Sequence, residues 1–371
     1  MITTTGEKMD RNKTEYEMED EIKEKICNFR SLYKAMHKCK RNVMWKDSVA
    51  GFIKNGLVNT YNLRKQLFDG TYKIDNYSVF TIYEPKKREI VSTRMKDRVF
   101  QRSLCDNYLY KAITKSFIYD NCACQLNKGT NFARNRLSCH MQRYFRKHGL
   151  NGYVLKCDIS DYFGSTPHNV AKNAVSERVK NDWVNCHVAK IIDSFNQSEN
   201  PEIGMGLGSQ ITQLVQLAVL DRMDHMIKER LGIKQYIRYM DDFILIHQDK
   251  EHLEYCLDEI NKYLASLDLK LSTKKTQIFP LKQGIKFLGF IFHLTETGKV
   301  IRKLRKENVT HEKRKLRRMK KLVDEGVLTK EHVDECYASW KAHAKQGNTY
   351  NLILSMNKFY KNLWKEGGNN V

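Results

Sequence analysis

Gln235-Tyr-Ile-Arg-Tyr-Met-Asp-Asp-Phe-Ile-Leu-Ile246 is the stretch from which the fold is read. Two runs rich in β-branched and aromatic residues, Gln235 to Met240 and Phe243 to Ile246, flank Asp241-Asp242. Two residues between two such runs predict an antiparallel hairpin with the aspartates at its tip. A second apolar run, Tyr153-Val-Leu-Lys-Cys157, ends on Asp158. Carboxylates set among hydrophobic strands are costly unless something cationic compensates them. If the two strand systems lie side by side, three carboxylates converge, and hard oxygen ligands favour Mg2+. Against this, Asp-Asp is ordinary turn chemistry, and Asp158 before Ile-Ser-Asp161 fits a helix cap.

Outward from the hairpin, strands and helices alternate irregularly. Tyr77 to Tyr83 reads as a strand, Glu84-Pro-Lys-Lys-Arg88 as a basic turn, and Glu89-Ile-Val91 as the return strand. Helices are expected from about Asp97 to Ile113, Pro167 to Val188, Ser209 to Leu231 and His252 to Leu267. Glu202 to Gly208 holds three glycines and reads as a loop. Gln277 to Phe279 and Lys286 to Phe292 read as further strands, and from about Asn308 the chain is helical. The pattern predicts an α+β core with helical additions. Residues 1–27 read as a hydrophilic extension, much of it a solvated helix.

The 371 residues carry 65 Lys plus Arg against 43 Asp plus Glu, a net charge of +22. A surplus of this size points to a polyanionic partner, nucleic acid or an anionic surface. With 41% apolar residues the chain is neither low-complexity nor wholly disordered. No apolar run approaches the roughly 18 residues of a membrane span. The polar N-terminus does not read as a secretory signal. The ten cysteines include no Cys-x-x-Cys. They are therefore expected to be reduced, mostly buried thiols of a cytoplasmic protein. Lys299 to Lys321 concentrates Arg302, Lys303, Arg305, Lys306, Lys313, Arg314, Arg317 and Arg318. Such a block on a helix would neutralise phosphates of a nucleic-acid duplex. Tyr337, Trp340, Tyr350 and Trp364 are expected to pack a helical core. His140, His148 and His168 are expected to hydrogen-bond locally.

Tyr239-Met-Asp-Asp242 between β runs resembles the signature of reverse transcriptases. Asp158-Ile-Ser-Asp161-Tyr162-Phe163 is similar to the preceding palm motif, and Leu271 to Ile278 to the motif after the hairpin. Phe287-Leu-Gly-Phe290 resembles the primer-grip region. Lys86-Lys-Arg88 and Asp97-Arg98-Val-Phe-Gln101 resemble the fingers motifs of the bacterial, group II intron-like branch. The resemblance covers about residues 75–305 and implies a right-hand polymerase. Residues 28–152, with part of 168–206, would be the fingers, 153–300 the palm and 301–371 a small helical thumb.

By that resemblance Asp158, Asp241 and Asp242 ligate two Mg2+ ions, with Mn2+ as an alternative, for two-metal nucleotidyl transfer. Lys86, Arg88, Asp161, Phe163, Leu207, Gln213 and Lys275 would surround the dNTP. Phe163 would gate against the 2′-hydroxyl, Arg88 with a neighbouring lysine would lie over the triphosphate, and Lys275 would protonate the departing pyrophosphate. Partners would be template RNA, the cDNA product and dNTPs, with no membrane. Gly206-Leu-Gly-Ser-Gln-Ile-Thr-Gln213 departs from the common pattern. Leu207 stands where a dNTP-contacting Gln is usual and Gln213 where Pro is usual. With Thr212 here for Ser, the stretch is similar to the Gly-x-x-x-Ser-Gln form of diversity-generating retroelement enzymes, which copy RNA with errors and use a small basic accessory protein. The alternatives are a phage-defence reverse transcriptase acting with a structured non-coding RNA or without a template, and a non-catalytic RNA-binding scaffold.

Overall fold

The computed structural model describes residues 15–83, 88–195 and 200–365. They fall into two compact units. The first takes the chain up to Tyr119, then residues 159–226 and 261–271; the second takes 120–158, 227–260 and 272 onward.

In chain order the N-terminal helices are α1 (Glu15–Cys27), α2 (Phe29–Cys39), α3 (Asp47–Lys54) and α4 (Gly56–Phe68). The hairpin β1 (Ser78–Ile82) and β2 (Arg88–Ser92) follows, then α5 (Met95–Leu104) and α6 (Tyr110–Thr114). α2 is capped by Asn28, whose Oδ1 accepts from the Ser31 amide at 2.9 Å. It buries Leu32, Ala35 and Met36, while α5 buries Val99, Phe100 and Leu104. α1 is only partly the solvated helix expected, since Ile26 and Cys27 are fully buried. The helix expected over Asp97–Ile113 is interrupted by a π-helical turn, Cys105–Leu109.

Next come α7 (Thr130–His148), β3 (Tyr153–Asp158), α8 (Tyr162–Ser165), α9 (His168–Ser176), α10 (Asp182–Asp193), α11 (Gln210–Val219) and α12 (Asp221–His225). Pro167–Val188 is two helices rather than one. The chain breaks before Asn181, whose side chain caps α10 by accepting from the Val184 amide at 2.8 Å. Ser209–Leu231 is likewise divided, into α11, α12 and a π-helical turn, Met226–Arg230. Ser209 starts α11, its Oγ accepting from the Ile211 amide at 3.2 Å and donating to Gln101 at 2.9 Å.

The second unit is built on a four-stranded antiparallel sheet ordered β4-β5-β3-β6, with β4 (Gln235–Tyr239), β5 (Asp242–His247) and β6 (Gln277–Pro280). β5 is followed by α13 (Lys250–Ala265). β5 buries Phe243, Ile244, Leu245 and Ile246 in succession, and β3 buries Val154, Leu155 and Cys157. A second sheet holds β7 (Ile285–Phe287), β8 (Phe290–Leu294) and β9 (Val300–Leu304). The single strand expected over Lys286–Phe292 is thus a hairpin. It turns at Leu288 and Gly289, both left-handed, with φ of +42° and +89°. Both sheets and α7 share one apolar cluster that includes Leu137, Met141, Ile237, Ile244, Phe287, Phe290 and Phe292.

The helical end comprises α14 (Lys306–Asp324), α15 (Lys330–Ala344) and α16 (Tyr350–Leu363). Leu316, Met319, Val333, Tyr337 and Met356 form its core, with Trp340 and Trp364 packed against it. Tyr350 does not join them; it is 76% exposed. At the first position of α16 its side chain points away from the stripe that carries Met356. The basic block is not one helix either: Arg302 and Lys303 lie on β9, and Arg305 precedes α14. Of the ten free cysteines, Cys27, Cys105, Cys122, Cys157 and Cys256 are buried, so half rather than most are. No helix among the described residues is long and apolar enough to cross a membrane.

Candidate active site

The register of the four-stranded sheet places Asp158, the last residue of β3, opposite Asp242, the first of β5. Asp242 also pairs with Tyr239 across the hairpin. The hairpin loop is therefore Met240-Asp241, one residue earlier than Asp241-Asp242. A two-residue loop needs a left-handed position to match the strand twist, and Met240 supplies it with φ +58°. Left-handed backbone at a non-glycine residue costs roughly 1–3 kcal/mol and persists where its surroundings enforce it. Arg238, 0% exposed, donates from Nη1 to the Met240 carbonyl at 3.1 Å. Its own amide donates to the Asp120 carbonyl at 3.0 Å, and its carbonyl accepts from Cys122 at 2.9 Å. Arg238 thereby ties the strained turn to a pinned strand.

Each of the two paired carboxylates meets a lysine. Lys275 Nζ lies 2.6 Å from Asp158 Oδ1. Lys156, inside β3, donates to Asp242 Oδ2 at 3.0 Å and to the Lys286 carbonyl at 2.8 Å. Asp242 Oδ1, also 3.0 Å from that ammonium, is buried and makes no hydrogen bond. Burial pushes the Asp242 carboxyl up to about 6, against the lowering effect of Lys156. Among the described residues no three His, Cys, Asp or Glu side chains are gathered as a ready-made metal cage. The ammonium groups of Lys156 and Lys275 stand against two of the three carboxylates instead. The donor set nevertheless fits a hard divalent cation. It offers carboxylate oxygens in strand register, one of them buried and without a hydrogen bond, where a cation would offset the desolvation.

Asp161, Phe163, Leu207 and Gln213, also expected at a dNTP site, lie in the first unit. Asp161 adopts φ +43° before α8, and its carboxylate packs on Gly164, where a Cβ would sit 2.3 Å from Oδ2. Phe163 is half-buried, stacks edge-on with Tyr162, and its carbonyl accepts from Met205 at 2.7 Å. Leu207 is half-buried and its carbonyl accepts from the Val91 amide at 3.2 Å. Gln213 lies in α11, its amide donating to the Ser209 carbonyl at 3.4 Å. Lys86 and the side chain of Arg88 lie outside the described residues.

Within the basic block, Arg302 is spent on packing: it donates to Ser138 at 3.1 Å and Asn135 at 2.8 Å. Arg305 has a buried Nε without a hydrogen bond. Lys313 and Arg317 sit over the Phe359 ring at 5.4 Å and 5.2 Å. Lys303, Lys306, Arg314 and Arg318 are exposed. His140 bonds Asp120 at 2.8 Å, and His168 bonds the Gly204 carbonyl at 2.8 Å. Lys156 and Arg238 escaped the sequence reading. The signal was there: each is a lone cation inside a short apolar strand, which is costly unless it is paired.

The raised Asp242 pKa has a defined sign. A carboxyl whose folded pKa exceeds its ordinary value favours the protonated fold. Metal-free stability should therefore fall as pH rises from about 4 to about 6. Lys156→Gln removes the charge that lowers this pKa, so the window should extend above about 6. Thermal melts in chelator across this range check it; identical profiles for the two proteins would refute the coupling.

Residues 84–292, more than half of the chain, match the family described as reverse transcriptase (RNA-dependent DNA polymerase). Comparison with curated proteins gives no match. Among solved structures, the chain is similar to apo telomerase from Candida tropicalis truncated from its C-terminal domain. That likeness has 14% identity and a TM-score of 0.47, over 61% of this chain and 55% of that one. It is also similar to telomerase from Candida albicans in complex with a TWJ fragment of telomeric RNA. Here identity is 10% and the TM-score 0.48, over 86% of this chain and 66% of that one. The chain thus spans between about half and two thirds of these telomerase chains. On the match across its central 84–292 segment, the chain belongs to the reverse transcriptase family.

Proposed function

We propose that the chain is an RNA-directed DNA polymerase that copies a dedicated RNA template into cDNA. The observation that carries this is Asp158 in register with Asp242 at the mouth of the hairpin, within a family-matched segment. In this reading Asp158, Asp241 and Asp242 hold Mg2+, or Mn2+. The metal supplies charge neutralisation at the α-phosphate and pyrophosphate and a more acidic 3′-hydroxyl. Arg238 and Met240 fix the turn that carries Asp241. Lys156 offsets the charge of Asp242, and Lys275, paired with Asp158, would protonate the departing pyrophosphate. Residues 153–300 act as palm, 28–152 with part of 168–206 as fingers, and 301–371 as thumb. Exposed Lys303, Lys306, Arg314 and Arg318 are the members of the basic block free to meet phosphate.

Purified protein with Mg2+, primed RNA and dNTPs tests this. Extension dictated by the RNA template is expected, with dNTPs preferred over rNTPs. Absence of extension on every primer and template would favour a scaffold.

The finer reading is error-prone copying, as in diversity-generating retroelements, with a small basic protein or structured RNA as partner. Leu207 motivates it, because leucine offers no polar contact to base or sugar. The backbone of Leu207 is pinned by Val91, so Leu207→Gln changes chemistry without moving the loop. Restoring one hydrogen bond of about 1–1.5 kcal/mol should lower misincorporation by roughly tenfold. An unchanged error spectrum on one template sinks this reading.

A further inference from the structure

A cavity of 330 Å³ opens on the second unit, lined by His140, Arg143, Arg146 and Lys147 of α7 and by Lys234 and Gln235 at the start of β4. His140, Arg143 and Lys147 follow helical spacing and share one face. The adjoining stripe of α7 buries Ala133, Leu137, Met141 and Tyr144, with His140 buried at its edge and Arg143, Arg146 and Lys147 exposed beyond it. Arg143, Arg146, Lys147 and Lys234 are exposed, and none has an acidic partner among the described residues. Among the described residues no carboxylate lines the cavity. Asp120, which His140 binds, is 2% exposed and already engaged by Arg136, by His140 at 2.8 Å and by Lys228 at 3.0 Å. It anchors the wall of the cavity and leaves the four outer cations uncompensated. Burial alone would raise the Asp120 carboxyl; His140, Arg136 and Lys228 hold it well below the usual carboxylate range.

Arg146 and Lys147 lie in the last turn of α7, where cations complement the helix dipole. That effect does not extend to Lys234, which belongs to a different element and adds its charge to the same opening. Like charges converging from two elements repel, and a bound anion relieves the repulsion. Lys234 precedes β4 at the end away from Met240-Asp241. At about 3.3 Å per strand residue the cavity lies roughly 20 Å from the catalytic turn. It is too far to serve the triphosphate of a nucleotide bound there.

We propose that this cavity is a second nucleic-acid site, which grips backbone phosphates of a strand or hairpin remote from the catalytic carboxylates. It does not depend on polymerisation and is testable without it. Fluorescence anisotropy in EDTA measures binding of a labelled RNA hairpin and of a DNA hairpin of the same sequence. The proteins compared are the wild type and a variant carrying Arg143→Gln, Arg146→Gln, Lys147→Gln and Lys234→Gln. Losing two to three phosphate contacts should lower the slope of log affinity against log salt by about 2 and weaken binding about tenfold or more at moderate salt. Loss on both hairpins supports a backbone grip without preference, and loss on RNA alone supports one matched to A-form geometry. Single Lys234→Glu, at an exposed position before an edge strand, should weaken binding of the same hairpin or hairpins as the fourfold variant and guards against misfolding of that variant. Unchanged affinity and salt slope for both hairpins in both variants would overturn the proposal and leave an acidic protein as the occupant.

Discussion

Asp158→Asn is expected to reduce primer extension by about a thousandfold or more while leaving the fold intact. An amide keeps the shape of the side chain and can still accept from Lys275, which holds Asp158 at 2.6 Å. What is lost is the negative charge. Metal-borne stabilisation of the developing phosphate charge is worth several kcal/mol, and about 4 kcal/mol corresponds to about a thousandfold in rate. Lys275 is 59% exposed, so its pairing with Asp158 contributes little to stability. The melting temperature should therefore barely move. Single-turnover incorporation of one dNTP, measured with thermal melts of the same protein, separates the two effects. A variant that still extends at the wild-type rate would remove Asp158 from the site.

Arg238→Ala is expected to show the largest loss of stability. Arg238 is among the largest fully buried side chains, and it donates to the Met240 carbonyl. Truncation leaves a cavity and an unmet carbonyl beside a strained turn, together about 3–5 kcal/mol. Arg238→Met fills most of the same volume but has no donor. It should retain the fold, cost about 1–3 kcal/mol, and lower kcat more than it raises KM for dNTP, because the turn that carries Asp241 loses its tie. Chemical denaturation of both variants, with kcat and KM for Arg238→Met, checks this. Unchanged kcat in a folded Arg238→Met protein would make Arg238 purely structural.

The sheet that carries the carboxylates was legible because β3 and the hairpin are short apolar runs ending in aspartate. The register was not, because Phe243 to Ile246 are all apolar and buried, so no alternation marks which residue closes the hairpin. The loop moved by one residue because twist, rather than charge, selects the left-handed position at Met240. β9 was hidden for a different reason. Val300-Ile-Arg-Lys-Leu304 sits inside a basic block, and Arg302 reads as surface charge although its guanidinium packs against Phe292 and Ser138. The break between α9 and α10 was visible in principle at Asn181, a capping residue. The π-helical turns were not, since one inserted backbone residue leaves no mark in composition. For the site, sequence supplied the acids; it marked Lys156 and Arg238 only as lone cations in apolar strands, and strand register is what assigns them to Asp242 and Met240.

Manganese binding followed by electron paramagnetic resonance distinguishes carboxylates that hold metal from carboxylates that only pair with lysine. Metal-free protein is combined with primed RNA, a terminated primer and the matching dNTP, then titrated with Mn2+. The expected result is tightly bound Mn2+ in the wild type and its loss in Asp158→Asn and Asp242→Asn, with folding unchanged. Equal Mn2+ binding by all three proteins would contradict the assignment of these carboxylates as the metal site.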